Sequence, residues 1–126
     1  MKILVVDDNH NLARILGYYL EEQGHHVVPA YDGSLGLLLF EHKHFDVILI
    51  DLALPKRSGL ELLEHIRQKD CTVRVIIVTG CPDLLKDDSY RIQELDIEAV
   101  VEKPFELSDI DEIIQRLNSV EYAANA

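Results

Sequence analysis

Hydrophobic residues in this chain come in short blocks, and each block ends on a polar group. Ile3-Leu4-Val5-Val6 runs into Asp7-Asp8, and Val47-Ile48-Leu49-Ile50 into Asp51. Val75-Ile76-Ile77-Val78 runs into Thr79, and Val100-Val101-Glu102 into Lys103-Pro104. Continuous apolar runs this short, alternating with helical patterns, are expected of strands buried on both faces of a parallel sheet. The first strand covers about Lys2 to Val6, and a further one is expected around His26 to Ala30. The last falls near Glu98 to Val101.

Between the strands the spacing becomes that of half-buried helices. The first helix carries Leu12, Ile15, Leu16, Tyr19 and Leu20 on one face and stops at Gly24. Asp32-Gly33 opens a second, rich in leucine (Leu35, Leu38, Leu39), that ends near His44. Ser58 and Glu61 form an S-x-x-E capping box, starting a third with Leu60, Leu63 and Ile66 inward. From Cys81 to Leu95 apolar positions are sparse, so a short, weakly held helix is expected there. Leu107, Ile110, Ile113, Ile114 and Leu117 stripe the final helix. Residues 1–120 thus read as one domain, and Glu121 to Ala126 as a frayed tail.

Strand-helix units joined by right-handed crossovers give an α/β fold with helices on both faces of the sheet. In such folds ligands lie outside the carboxyl ends of the strands, where the strand order reverses. Asp7, Asp8, Asp51, Thr79 and Lys103 are therefore expected to meet in one cleft.

Composition narrows the function classes. The chain has 126 residues, 48% hydrophobic, with 12 Lys and Arg against 23 Asp and Glu, for a net charge of −11. That balance argues against direct nucleic-acid or anionic-membrane binding, which need a basic footprint. No apolar stretch reaches the ~20 residues of a membrane span, and Met1-Lys2-Ile3 does not begin a signal peptide. Cys71 and Cys81 match neither a disulfide framework nor a zinc motif, so a reducing, cytoplasmic setting is expected. His25-His26, His42 and His44 fall at element ends and read as solvated surface, while His10 sits close to the acidic pair.

Three carboxylates held close repel one another unless a cation stands among them. Mg²⁺ suits such a site, because it takes oxygen ligands from one or two carboxylates, keeps several waters and binds phosphoryl groups. Asp8 and Asp51 are the candidates for direct ligands, with Asp7 acting through water. Asp7-Asp8 alone would also suit a helix N-terminus, where acidic residues contribute ~0.3–1 kcal/mol each; the third carboxylate on another strand end favours the metal. A carboxylate beside Mg²⁺ can attack phosphorus and carry an aspartyl phosphate. The metal would then neutralise one equatorial oxygen and Lys103 another, with the Thr79 hydroxyl or a backbone N–H donating to the third, where phosphoryl transfer needs charge stabilisation.

With these residues in place, the chain resembles the receiver domains of two-component response regulators, the CheY-like superfamily. The matching passages are Leu4-Val5-Val6-Asp7-Asp8-Asn9, Asp51-Leu52-Ala53-Leu54-Pro55-Lys56-Arg57-Ser58-Gly59, Val78-Thr79-Gly80 and Glu102-Lys103-Pro104-Phe105. The resemblance implies a flavodoxin-like, doubly wound, five-stranded parallel sheet of order 2-1-3-4-5. It makes Asp51 the phosphoacceptor, loaded from a sensor histidine kinase or a histidine phosphotransfer protein. Asp7, Asp8, Asp51 and the Ala53 backbone carbonyl would organise Mg²⁺, Thr79 and Lys103 would contact the phosphoryl group, and the Lys103-Pro104 bond would be cis. Output to a downstream protein or domain would run through the fourth helix, fifth strand and fifth helix, offering Leu84, Leu85, Tyr90, Arg91 and Val100 beside Asp109, Asp111 and Glu112. The implied function is a phosphorylation-dependent switch with self-catalysed phosphotransfer and dephosphorylation, and no turnover enzyme.

Two departures from the family pattern change expectations. Val100 stands where receiver domains usually carry Tyr or Phe, so it has no ring to swing inward, and signalling is expected to rely on the Gly80–Asp83 loop and the weak helix after it. Ala53 and Cys81, two residues past Asp51 and Thr79, flank the line of water attack and lack acid or base groups, so an intermediate phosphoryl lifetime is expected. The alternative is a Mg²⁺-dependent aspartyl-phosphate phosphohydrolase, but such enzymes usually place an acid where Ala53 stands. A flavin-binding flavodoxin relative is disfavoured, because no phosphate-cradling Ser/Thr/Gly loop follows the first strand. Basic residues that would lock the fourth and fifth helices into a symmetric dimer are not evident.

Overall fold

Runs of Val, Ile and Leu without interruption pair side by side in this protein and bury both faces of the three central strands. The computed structural model describes residues 1–80 and 93–125, with side chains described through residue 119. Five strands, β1 (Lys2–Val6), β2 (His26–Ala30), β3 (Val47–Asp51), β4 (Arg74–Thr79) and β5 (Ala99–Glu102), form one sheet of order β2-β1-β3-β4-β5. All four pairings are parallel. The sheet is therefore the expected α/β doubly wound one, with the order reversing between β1 and β3.

Side chains alternate across a strand, and here each alternate set meets its own helices. Ile3, Val5, Val47, Leu49, Ile76 and Val78 pack with helices α1 (His10–Glu22) and α4 (Leu107–Asn125). Leu4, Val6, Ile48, Ile50, Val75 and Ile77 pack with α3 (Gly59–Lys69), beside which lies α2 (Gly33–His42). The helix starts follow local chemistry: the side chains of Asn9, Asp32 and Ser58 accept hydrogen bonds from the backbone N–H of Leu12, Leu35 and Glu61, satisfying donors a helix leaves open. Gly24, at φ +95°, ends α1 in the left-handed region, which glycine enters without steric penalty.

Several inner faces differ from the sequence-based expectation. In α1 the buried residues are Ala13, Leu16 and Leu20, and Ile15 is 54% exposed. In α3 Leu62 replaces Leu60 on the buried face beside Leu63 and Ile66. In α2 the buried residues are Gly33 and Gly36, while Leu35 and Leu38 face out. An apolar stripe wider than one face leaves more than one rotation open, and the closest packing distance to the sheet selects among them. The final helix buries Ile110, Ile114 and Leu117 as expected, and it continues through Asn125, past the tail boundary read at Glu121. Glu-Tyr-Ala-Ala-Asn contains no breaker and two alanines, the strongest helix formers. The expected helix from Cys81 to Leu95, with Leu84, Leu85, Tyr90 and Arg91, lies for the most part outside the described residues. Gln93 and Glu94 are helical and a turn at Leu95-Asp96 leads to β5. Among the described residues no helix is long and apolar enough to cross a membrane.

Candidate functional site

Register delivers the acidic residues to one edge. Val6 pairs with Ile50 across β1 and β3, so Asp7 and Asp51 follow at adjacent positions on neighbouring strands. Thr79 closes β4 opposite Glu102 of β5, and Lys103 follows at once, its backbone N–H donating to the Thr79 carbonyl at 2.8 Å. The Lys103-Pro104 bond is cis, as the resemblance implied. The Asp7 N–H is fixed by the Ala30 carbonyl at 3.0 Å, tying the edge to β2.

The structure brings the ammonium and two carboxylates into contact. Lys103 Nζ donates to Asp7 Oδ2 at 2.9 Å and to Asp51 Oδ2 at 3.0 Å. Asp7 and Asp51 are each 5% exposed, whereas Asp8 faces solvent. Burial acts to lower the Lys103 pKa, but the hydrogen bonds and charges of Asp7 and Asp51 outweigh it, holding the ammonium above the usual lysine range. Thr79 is fully buried at the floor of this edge.

Two backbone donors that the sequence did not single out complete the arrangement. The Asn9 N–H donates to Asp7 Oδ1 at 2.9 Å, and the Ala53 N–H to Asp51 Oδ1 at 3.1 Å. Each carboxylate is thus held by a main-chain N–H two residues on, an Asx-type turn that Asp favours. With Lys103 on Oδ2, both oxygens of Asp7 and of Asp51 have a donor. The signal was present in Asn9, a good helix N-cap, but the second bond depends on the turn itself.

Oxygen atoms of Asp7, Asp8 and Asp51 all lie within 4.8 Å of one another. This donor set is entirely hard oxygen, with one member open to solvent, and it fits an Mg²⁺ ion that keeps part of its water shell. Among the described residues no histidine joins such a cluster. His25 is half-buried with Nδ1 3.1 Å from the Met1 amine, and His42 and His44 bond locally to the Leu38 carbonyl and Asp46. His10, beside the acidic edge, stacks on Tyr31 with ring centroids 3.8 Å apart. Val100 is 44% exposed on β5, and Cys81 lies outside the described residues.

Comparison with known proteins agrees in family and fold. The response regulator receiver domain matches residues 3–115 of the chain. Response regulator ArlR of Staphylococcus saprophyticus is 38% identical over 122 residues, covering 94% of this chain and 51% of that protein. ArlR of Staphylococcus aureus is 37% identical over 122 residues, 94% of this chain and 52% of that protein. The chain thus spans about half the length of the curated relatives it matches. Among solved structures, a CheY-like receiver domain protein from Methanospirillum hungatei JF-1 superposes with a TM-score of 0.86 at 29% identity, over 97% of both chains. The response regulator TrrA from Thermotoga maritima, solved in complex with Mg²⁺-BeF, gives 0.79 at 29% identity, over 92% of this chain and 97% of that one.

Proposed function

The chain belongs to the response regulator receiver domain family, the signalling domains of two-component systems, and we propose that it is a switch set by phosphorylation of Asp51. One observation carries this: Lys103 bridges Asp7 and Asp51 inside a three-carboxylate cluster at the switch point of the sheet. A phosphohistidine on a sensor histidine kinase or a histidine phosphotransfer protein is the donor. An Asp51 carboxylate oxygen attacks phosphorus and forms a P–O bond. The P–N bond breaks, its electron pair returns to the imidazole, and that nitrogen takes up a proton.

Asp51 is prepared for this by its partners. The Ala53 N–H holds Oδ1 and Lys103 holds Oδ2, so the carboxylate is oriented before a donor arrives, which removes an entropic part of the barrier. Lys103, already against the nucleophile, pairs with an equatorial phosphoryl oxygen as charge builds there. Thr79 offers its hydroxyl to another. Asp8, Asp51 and the Ala53 carbonyl would hold Mg²⁺, with Asp7 acting through water, and the ion would supply positive charge to the carboxylates and the phosphoryl oxygens. Ala53 brings no acid or base to the line of water attack, so the acyl phosphate persists for an intermediate time. Phosphorylation adds about −1.5 to −2 charges, which changes how the β5 and final-helix side, with Val100, Asp109 and Glu112, meets a downstream protein or output domain.

Intact-mass measurement after treatment with acetyl phosphate and Mg²⁺ tests the proposal. Wild type should gain one phosphoryl group and Asp51→Ala none. Equal gain in both would remove Asp51 from its role, and no gain in wild type would remove the function.

A further inference from the structure

Helix α2 makes its closest approach to the core through glycine. Its buried residues are glycines, and a Cβ on Gly36 would stand 3.1 Å from both γ-methyls of Val6 and 3.3 Å from Leu62 Cδ2. The helix therefore approaches β1 and α3 closely at Gly36; Leu37, Leu39 and Phe40 pack in part against the core, and Leu35 and Leu38 are turned outward. Leu35 is 38% and Leu38 53% exposed. Residues three apart are neighbours on a helix surface, so these two leucines form one apolar patch. A helix that is apolar around its circumference belongs in an interior, yet among the described residues nothing lies over this side.

We infer that the outer face of α2 is a self-association surface, covered by the same face of a second copy of the chain. Charge selects this occupant and this face. At the two ends of α2 the carboxylates Asp32 and Glu41 are each paired with a lysine, Lys56 and Lys69, whereas between 94 and 112 eight acidic residues stand against one basic. Two copies of a chain carrying −11 repel one another across the acidic side, and far less across α2. A two-fold contact needs a patch complementary to itself, and α2 is one. Run antiparallel, two such helices set Leu35 of one copy on Leu38 of the other. At the ends, the Lys56–Asp32 pair (3.5 Å) beside the start of α2 meets the Lys69–Glu41 pair (2.7 Å) beside its finish, so that each lysine finds a second carboxylate.

Sedimentation equilibrium on the 126-residue chain tests this, together with disulfide trapping. Wild type should show a concentration-dependent dimer whose dissociation constant rises at least about tenfold in Leu38→Glu, and Ile15→Glu, an equally exposed change on α1, should leave it unaltered. In a Cys71→Ser, Cys81→Ser background, mixing Leu35→Cys and Leu38→Cys chains under oxidation should give a cross-linked dimer, while Val100→Cys chains should not. A wild-type chain that stays monomeric to about 1 mM, or a dimer indifferent to Leu38→Glu, would overturn the inference.

Discussion

Lys103 and Asp51, fifty-two residues apart in sequence, are joined by a 3.0 Å hydrogen bond at the carboxyl edge of the sheet. The same ammonium reaches Asp7, so it is the internal counter-ion of two buried carboxylates. Removing one partner of such a group leaves charge buried and unpaired. Lys103→Met should therefore destabilise the protein in metal-free buffer, on the order of 2–4 kcal/mol, in urea denaturation. Added Mg²⁺ should restore a large part of that loss if a cation at the cluster can replace the ammonium.

Asp8 is the exposed member of the cluster, and among the described residues Lys103 bridges the other two carboxylates, Asp7 and Asp51. Asp8→Asn should remove repulsion and raise the metal-free stability by up to about 1 kcal/mol. It should also abolish most of the stabilisation that millimolar Mg²⁺ gives wild type, which follows mass action on the folded state. Thermal melts with EDTA and with MgCl₂ check both effects, and an unchanged Mg²⁺ response would take Asp8 out of the metal set.

Gly59 opens α3 directly against the backbone that carries Asp51, the proposed phosphoacceptor. Its N–H donates to the Leu52 carbonyl at 3.0 Å, and an added Cβ would collide with the Asp51 carbonyl oxygen and Leu52 Cα. Gly59→Ala should cost about 1–3 kcal/mol of stability and slow phosphorylation by acetyl phosphate, because Asp51 must shift with its strand end. Normal stability with normal labelling would show that the backbone gives way freely.

Arg67 donates to the carbonyls of Leu95, Asp70, Val73 and Asp96. One guanidinium thus ties the end of α3 and the entry to β4 to the approach to β5. Lysine cannot reproduce that planar fork, so Arg67→Lys should lose about 1–3 kcal/mol. Faster amide exchange over 97–102 in the variant would locate the loss.

Acid should loosen the same corner. The Asp70 carboxylate accepts from the Thr72 hydroxyl and N–H, both at 2.7 Å. Those bonds, Thr72's hydroxyl first, hold its pKa below the ordinary 3.8 against the opposing effect of burial, with Val73 N–H and Arg67 adding to them. A carboxylate with a lowered folded pKa binds fewer protons folded than unfolded, so its contribution is full above about 3.8 and fades as pH falls through the folded value. Asp70→Asn should be less stable than wild type at pH 7 and converge on it in strong acid, as paired denaturation curves would show.

The positions of the strands and the candidate chemistry were legible because they are local. A run such as Val47 to Ile50 fits the interior of a parallel sheet wherever the fold places it, and Asp51 must then sit at its carboxyl end. Asp32 and Ser58 announced their helices because an N-cap acts within its own turn. Helix rotation was less legible: Leu60 and Leu62 are equally apolar, and Ile15 adjoins Leu16, so composition could not say which would face the sheet.

By itself, then, the sequence determined which residues end the strands, which groups are candidates for the chemistry, and the family to which the domain belongs. Only the tertiary structure decided that Lys103 lies on Asp7 and Asp51 together, that the N–H groups of Asn9 and Ala53 hold the opposite oxygens, and that α2 docks by Gly33 and Gly36 with Leu35 and Leu38 outward. These are contacts between segments far apart in the chain, the conformation of a turn, or matters of ångström-scale approach. Periodicity carries the direction of a side chain along its own element, but no information about the distance to another.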